Sequence, residues 1–142
     1  MNKSQPRASV WILGDQLLAT HPALSAAEQQ YNKENLIVVM VESNQRTGQR
    51  PYQRKKLVLL FSAMRHYANA LKEDGYQVDY IITDSFIEGL QQHCAEFEPE
   101  AVFTMASSAY HGRHFQRQKL GQQLNLPIHV VPNTQFFLGR HN

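Results

Sequence analysis

Ser9-Val10-Trp11-Ile12-Leu13 runs without a break into Gly14-Asp15-Gln16-Leu17. An apolar run of this length, closed by a Gly-Asp turn, reads as a buried strand whose carboxyl end opens on a crevice. Four similar runs follow: Leu36 to Val41, Tyr76 to Thr83, Ala101 to Met105 and Ile128 to Val131. Each is short and rich in Val, Ile, Phe or Tyr, and helical patterns separate them. Apolar strands alternating with helices predict an α/β fold, a doubly wound, five-stranded parallel sheet with right-handed crossovers and helices on both faces.

Helix starts and stops are written locally. Ser25-Ala26-Ala27-Glu28 and Ser85-Phe86-Ile87-Glu88 both fit the capping box, in which a serine hydroxyl and a glutamate satisfy amides at a helix start. The main helix is expected from about Lys55 to Glu73. Leu57, Leu60, Phe61, Met64, Ala68 and Leu71 make its buried stripe, and Asp74-Gly75 ends it. A further helix is expected over Tyr110 to Leu124, with Phe115, Leu120 and Leu124 inward.

The chain has 142 residues, the length of one domain, with 42% apolar and 18% charged residues and a net charge of +2. No apolar run approaches the roughly 20 residues of a membrane span, and the polar start Met1 to Arg7 lacks a signal-peptide core. A cytoplasmic protein without a membrane partner is expected. The single cysteine, Cys94, excludes an internal disulfide and reads as a small apolar residue on a helix. His111 and His114 lack a matching ligand cluster, and His66 and His93 read as helix-surface positions, so no metal site is expected.

Candidate binding residues gather where strands one and two end. Gly14 permits close approach of a ligand, Asp15 offers acceptor oxygens, and Gln16, followed by Leu17, both donates and accepts. Glu42 and Ser43 close the second strand, which would set Glu42 beside Asp15. No histidine follows either strand closely, so no catalytic residue is assigned. From Ser43 to Arg54 a long loop is expected, and no acid falls between Glu42 and Glu73. The cations Arg46, Arg50, Arg54, Lys55, Lys56 and Arg65 lie there, and a flap offering Tyr52 or Lys56 to a planar ligand is expected. From the residues alone, a free-standing nucleotide-binding or regulatory α/β domain remains open.

Gly14-Asp15-Gln16-Leu17, His21-Pro22, Glu42, Ser62-Ala63-Met64-Arg65-His66-Tyr67 and Pro132-Asn133-Thr134-Gln135-Phe136-Phe137-Leu138 stand in an order that resembles the deoxyribodipyrimidine photolyase-related proteins. These are the iron-sulfur bacterial branch of cryptochromes and photolyases. The resemblance implies strand order 3-2-1-4-5 and an N-terminal antenna-type domain over 1–142. It also implies an antenna chromophore such as 6,7-dimethyl-8-ribityllumazine. FAD, a 4Fe-4S cluster and the site for damaged DNA are implied for a C-terminal helical domain outside this chain, so the chain alone is not expected to catalyse repair. Two departures from the family pattern stand out. Gln53 lies where a histidine is common, and Ala106 to His111 lacks a glutamate-rich turn.

Overall fold

A computed structural model describes residues 6–43 and 51–134, with 51–57 described by backbone alone. The elements, in order, are β1 (Ala8–Trp11), α1 (Pro22–Glu28), β2 (Leu36–Ser43), α2 (Pro51–Glu73), β3 (Gln77–Thr83), α3 (Phe86–Phe97) and β4 (Ala101–Met105). They continue as α4 (Tyr110–His114), a π-helical turn (Phe115–Lys119), α5 (Leu120–Leu124) and β5 (Ile128–Val131). All strand pairs are parallel, in the order β3-β2-β1-β4-β5, as expected for a doubly wound sheet.

Side chains alternate across the pleat and build two cores. Val10, Val38, Met40 and Phe103 face α1 and α2, and Trp11, Val39, Val41 and Val102 face α3 and α5. Burial on both faces is why these strands read as continuous apolar runs. Among the described residues, no helix is long and apolar enough to cross a membrane.

Several local expectations change. The first helix begins at Pro22, not at Ser25: the Ser25 amide already donates to the His21 carbonyl at 2.9 Å, so it needs no cap. His21 is the N-cap instead, its Nδ1 accepting from the Ala23 amide at 3.1 Å, and Pro22 lacks the N–H that would otherwise need a partner. At Ser85 the serine half of the box forms, its hydroxyl accepting from Glu88 N–H at 3.2 Å and capping α3. Helix α2 starts at Pro51, so part of the expected loop is helical, and residues 44–50 lie outside the described ones. Gly75, at φ 97°, stops that helix where Asp74-Gly75 predicted. The helix expected over 110–124 contains the π turn, which carries Gln116 into the protein. His93, expected on a helix surface, is buried.

Candidate functional site: the crevice at the carboxyl edge

The crossovers through α1 and α2 cover one face of the sheet, and α3 and the α4–α5 run cover the other. Connections therefore diverge between β1 and β4, the point at which open α/β sheets bind ligands. A cavity of about 420 Å³ lies there. Leu60, Phe61 and Met64 of α2 form one wall, and Trp11, Phe86 and Phe115 form the other. Trp11 meets Phe86 at a ring separation of 5.9 Å and Phe115 edge-on at 6.3 Å. Leu13, Gly14, Asp15, Val41 and Ser43 come from the ends of β1 and β2, and Ser107, Ala109, His111, Gly112 and Gln116 from beyond β4. The result is a mostly apolar, aromatic-walled slot with a few polar groups, the usual character of a small-molecule site.

A side chain at either of two glycines of the lining would crowd a neighbour. A Cβ on Gly14 would lie 2.8 Å from Met64 Sδ, and one on Gly112 would lie 2.5 Å from Ser107 Oγ. Met64 belongs to the Ser-Ala-Met-Arg-His segment, so that segment and the Gly-Asp turn meet across the cavity.

The β4 end of the slot is held by side-chain amides. Buried Gln116, brought inward by the π turn, donates to Thr104 Oγ1 at 3.1 Å and to the Met105 carbonyl at 3.0 Å. Its Oε1 accepts from Ser107 N–H at 2.8 Å. Gln16 donates from Nε2 to the carbonyls of Met105 and Ala106 at 3.3 and 3.1 Å. Asn133 donates to the Ala106 carbonyl at 2.9 Å, and Arg113 reaches the carbonyls of Ser107 and Ser108. Carbonyls left over where the sheet ends are thereby paired, which fixes the loop that carries Ser107 to Gly112.

Of the residues singled out by sequence, Gly14, Asp15 and Ser43 line the cavity, and Ser43 Oγ also donates to the Asp84 carbonyl at 3.1 Å. Gln16 supports the rim from below, and Leu17 packs against the α1–α2 core. Glu42 is not among the residues that line the cavity. Its side chain faces α2, where Arg65 Nε and Nη2 donate to it at 2.7 and 2.9 Å and the Tyr80 hydroxyl donates a third bond. Burial, followed by the bond to Glu42, pushes the Tyr80 phenol well above its ordinary value. The side chains of Tyr52, Gln53, Arg54, Lys55 and Lys56 lie outside the described residues, as do Arg46 and Arg50 and the segment Gln135 to Leu138. Sequence reading missed the aromatic wall and Gln116. Phe86 and Phe115 were legible only as helix-start and core positions, because their meeting with Trp11 depends on crossovers.

Residues 10–142 match the family described as deoxyribodipyrimidine photo-lyase-related protein. The chain belongs to that family. A (6-4) photolyase of Agrobacterium fabrum (strain C58 / ATCC 33970) is 39% identical over 75 residues, which are 53% of this chain and 14% of that protein. The match thus spans a small part of the photolyase. Among solved structures, the hypothetical protein MJ0577 is similar at a TM-score of 0.56 and 12% identity, over 92% of this chain and 98% of that one. A universal stress protein in complex with cAMP aligns at a TM-score of 0.46 and 12% identity, over 91% and 98%. At such identity the likeness to MJ0577 concerns the fold. The photolyase-related assignment and the geometry meet at one place: Gly14, Met64 and Arg65, from the family-like segments, lie on or beside the cavity wall.

Proposed function

We propose that this chain is the antenna-chromophore domain of a photolyase- or cryptochrome-related flavoprotein, with the β1–β4 cavity as the chromophore site. The observation that carries the reading is the aromatic wall of Trp11, Phe86 and Phe115 opposite Gly14 and Met64, in a space of about 420 Å³. That volume falls within the roughly 300–1,000 Å³ of small-molecule sites. A bicyclic ring with a polyhydroxyl tail, such as 6,7-dimethyl-8-ribityllumazine, suits the donor set. The aromatic rings offer faces to a planar heterocycle, and Asp15, Ser107 and His111 offer polar contacts to ring amides and hydroxyls. Bound there, such a chromophore supplies long-wavelength absorption and passes excitation on, which requires a fixed position and no reactive side chain. The residues of this chain hold the ring, orient it and exclude water from it. FAD, a 4Fe-4S cluster and damaged DNA belong, in this reading, to a C-terminal helical domain of a longer cytoplasmic protein. Light-driven repair or signalling would be the work of that whole.

Trp11 is the one tryptophan of the chain and lines the cavity, so its fluorescence reports directly on occupancy. Titrating the 142-residue chain with 6,7-dimethyl-8-ribityllumazine should quench Trp11 saturably and raise the melting temperature. Gly14→Leu should abolish both effects by filling the slot. Preference for ATP or AMP would replace the reading with a nucleotide-binding domain, and no response to any of the three would remove the cavity as a site.

A further inference from the structure

All twelve acidic residues of the chain fall at or before Glu100. The last 42 positions contain Arg113, Arg117, Lys119 and Arg140 with no carboxylate side chain. Residues 110–124 of this stretch form one helical run on the α3 side of the sheet, beside edge strand β5. Its outer surface presents Arg117, Lys119 and the amides Gln118, Gln122 and Gln123, all exposed. Among the described residues neither Arg117 nor Lys119 has an ion-pair partner. At the start of the run Tyr110 is 66% exposed and lies parallel to the His114 ring, 6.1 Å between centroids at 22°. An open groove of about 610 Å³ follows the run between Arg117, Gln118 and Gln122 and the strand residues Ile128 and Val130.

From these observations we infer that the α4–α5 face is a binding surface for a single-stranded nucleic acid. The chemistry selects that partner over other polyanions in three ways. Cations on a stretch of chain that carries no carboxylate side chain attract a phosphate backbone. An exposed stacked Tyr110–His114 pair offers a platform for a base, which an acidic peptide does not need. The glutamine amides along the groove both donate and accept, matching base edges. Neighbouring α3 carries Glu88 and Glu96 and no lysine or arginine, so the field falls steeply across this side of the molecule. A strand is thereby steered away from α3 and onto the β5 side of the run. The groove shares only Gln116 with the lining of the chromophore cavity, and Tyr110, Arg117 and Lys119 lie outside that lining, so the two inferences are tested by different residues and ligands.

Fluorescence anisotropy of the 142-residue chain with a labelled oligothymidylate, over a salt series, tests the inference. The double variant Arg117→Gln, Lys119→Gln should flatten the slope of log K against log salt by about 1.4, since each phosphate contact on a single strand contributes roughly 0.7. Tyr110→Ala should weaken binding about tenfold with the slope unchanged, as expected for the loss of one stacked base. All three positions are exposed, and circular dichroism melts should match the parent. An unchanged slope in the double variant would overturn the inference. So would equal binding of poly-glutamate or of anionic phosphatidylserine vesicles, because either would show a general anion-binding surface. Loss of binding only on replacing Arg54, Lys55 and Lys56 would place the contact at the start of α2 and also overturn it.

Discussion

Two clusters of buried polar side chains, one on each face of the sheet, position the helices that wall the cavity, and they do so by different chemistry. On the α2 face, Glu42 is enclosed, while Arg65, which holds it, keeps 57% of its side chain in solvent. On the α3 face, Ser9 Oγ lies 2.6 Å from His93 Nε2, and His93 Nδ1 lies 2.7 Å from Asp79 Oδ2. The second arrangement has the connectivity of a serine-histidine-aspartate triad, yet Ser9 is 0% exposed and neither described cavity reaches it. A nucleophile sealed between sheet and helix has no substrate. Its role is to fix α3, whose first residue, Phe86, lines the cavity, much as Arg65 fixes α2 with Phe61 and Met64. Water can reach Arg65 in the first cluster, whereas in the second Ser9 and His93 are sealed and only Asp79 keeps some exposure, 19% of its side chain. Removing a partner from the sealed cluster leaves polar atoms with nowhere to turn.

His93→Ala should cost about 3 kcal/mol or more, because it opens a void under α3 and leaves Ser9 and Asp79 without their partner. Urea unfolding would measure it. A loss no larger than that of an exposed histidine such as His66 would show that the sealed network carries no stability.

A second buried imidazole sharpens the contrast by pH. In His21, Nδ1 accepts from Ala23, so the proton sits on Nε2, and that atom is buried without a partner. Burial holds its pKa down at about 4, against an ordinary value of 6.5. The folded protein therefore binds this proton less readily than the unfolded chain does. The stability that follows is complete above pH 6.5 and is lost as the pH falls toward 4, by about 3 kcal/mol at most. His21→Ser keeps a cap acceptor but has no such titration, and should flatten the stability profile between those pH values. An unaltered profile would mean that other groups drive acid unfolding.

The smallest expected effect lies in the half-open cluster. Tyr80→Phe removes one of three donors to Glu42 and should cost about 2 kcal/mol by thermal or urea melts, in the range for hydrogen bonds to charged groups. Arg65 remains in place to hold the carboxylate. A cost equal to that of His93→Ala would erase the distinction between the two clusters.

Strand positions, fold class, the stop at Asp74-Gly75 and the Ser85 cap were legible in the sequence, because each rests on periodicity or on hydrogen bonds spanning a few residues. Strands β4 and β5 fall on the bounds read from their apolar runs. Gly14 and Asp15 could be placed at the crevice once β1 was central. The residues that complete the cavity could not, since Trp11, Phe86 and Phe115 are far apart in the chain and meet only where the crossovers diverge beside β1. Glu42 shows the same limit: a carboxylate at a strand end looks available until an arginine 23 residues later folds over it. His93 looked like a surface residue because its neighbours Gln91, Gln92 and Glu96 are polar, and only its approach to Ser9, 84 residues away, decides its burial. Local chemistry determined the elements of this protein, and the crossovers, through contacts between residues distant in sequence, decided which side chains bind, which support and which are sealed away.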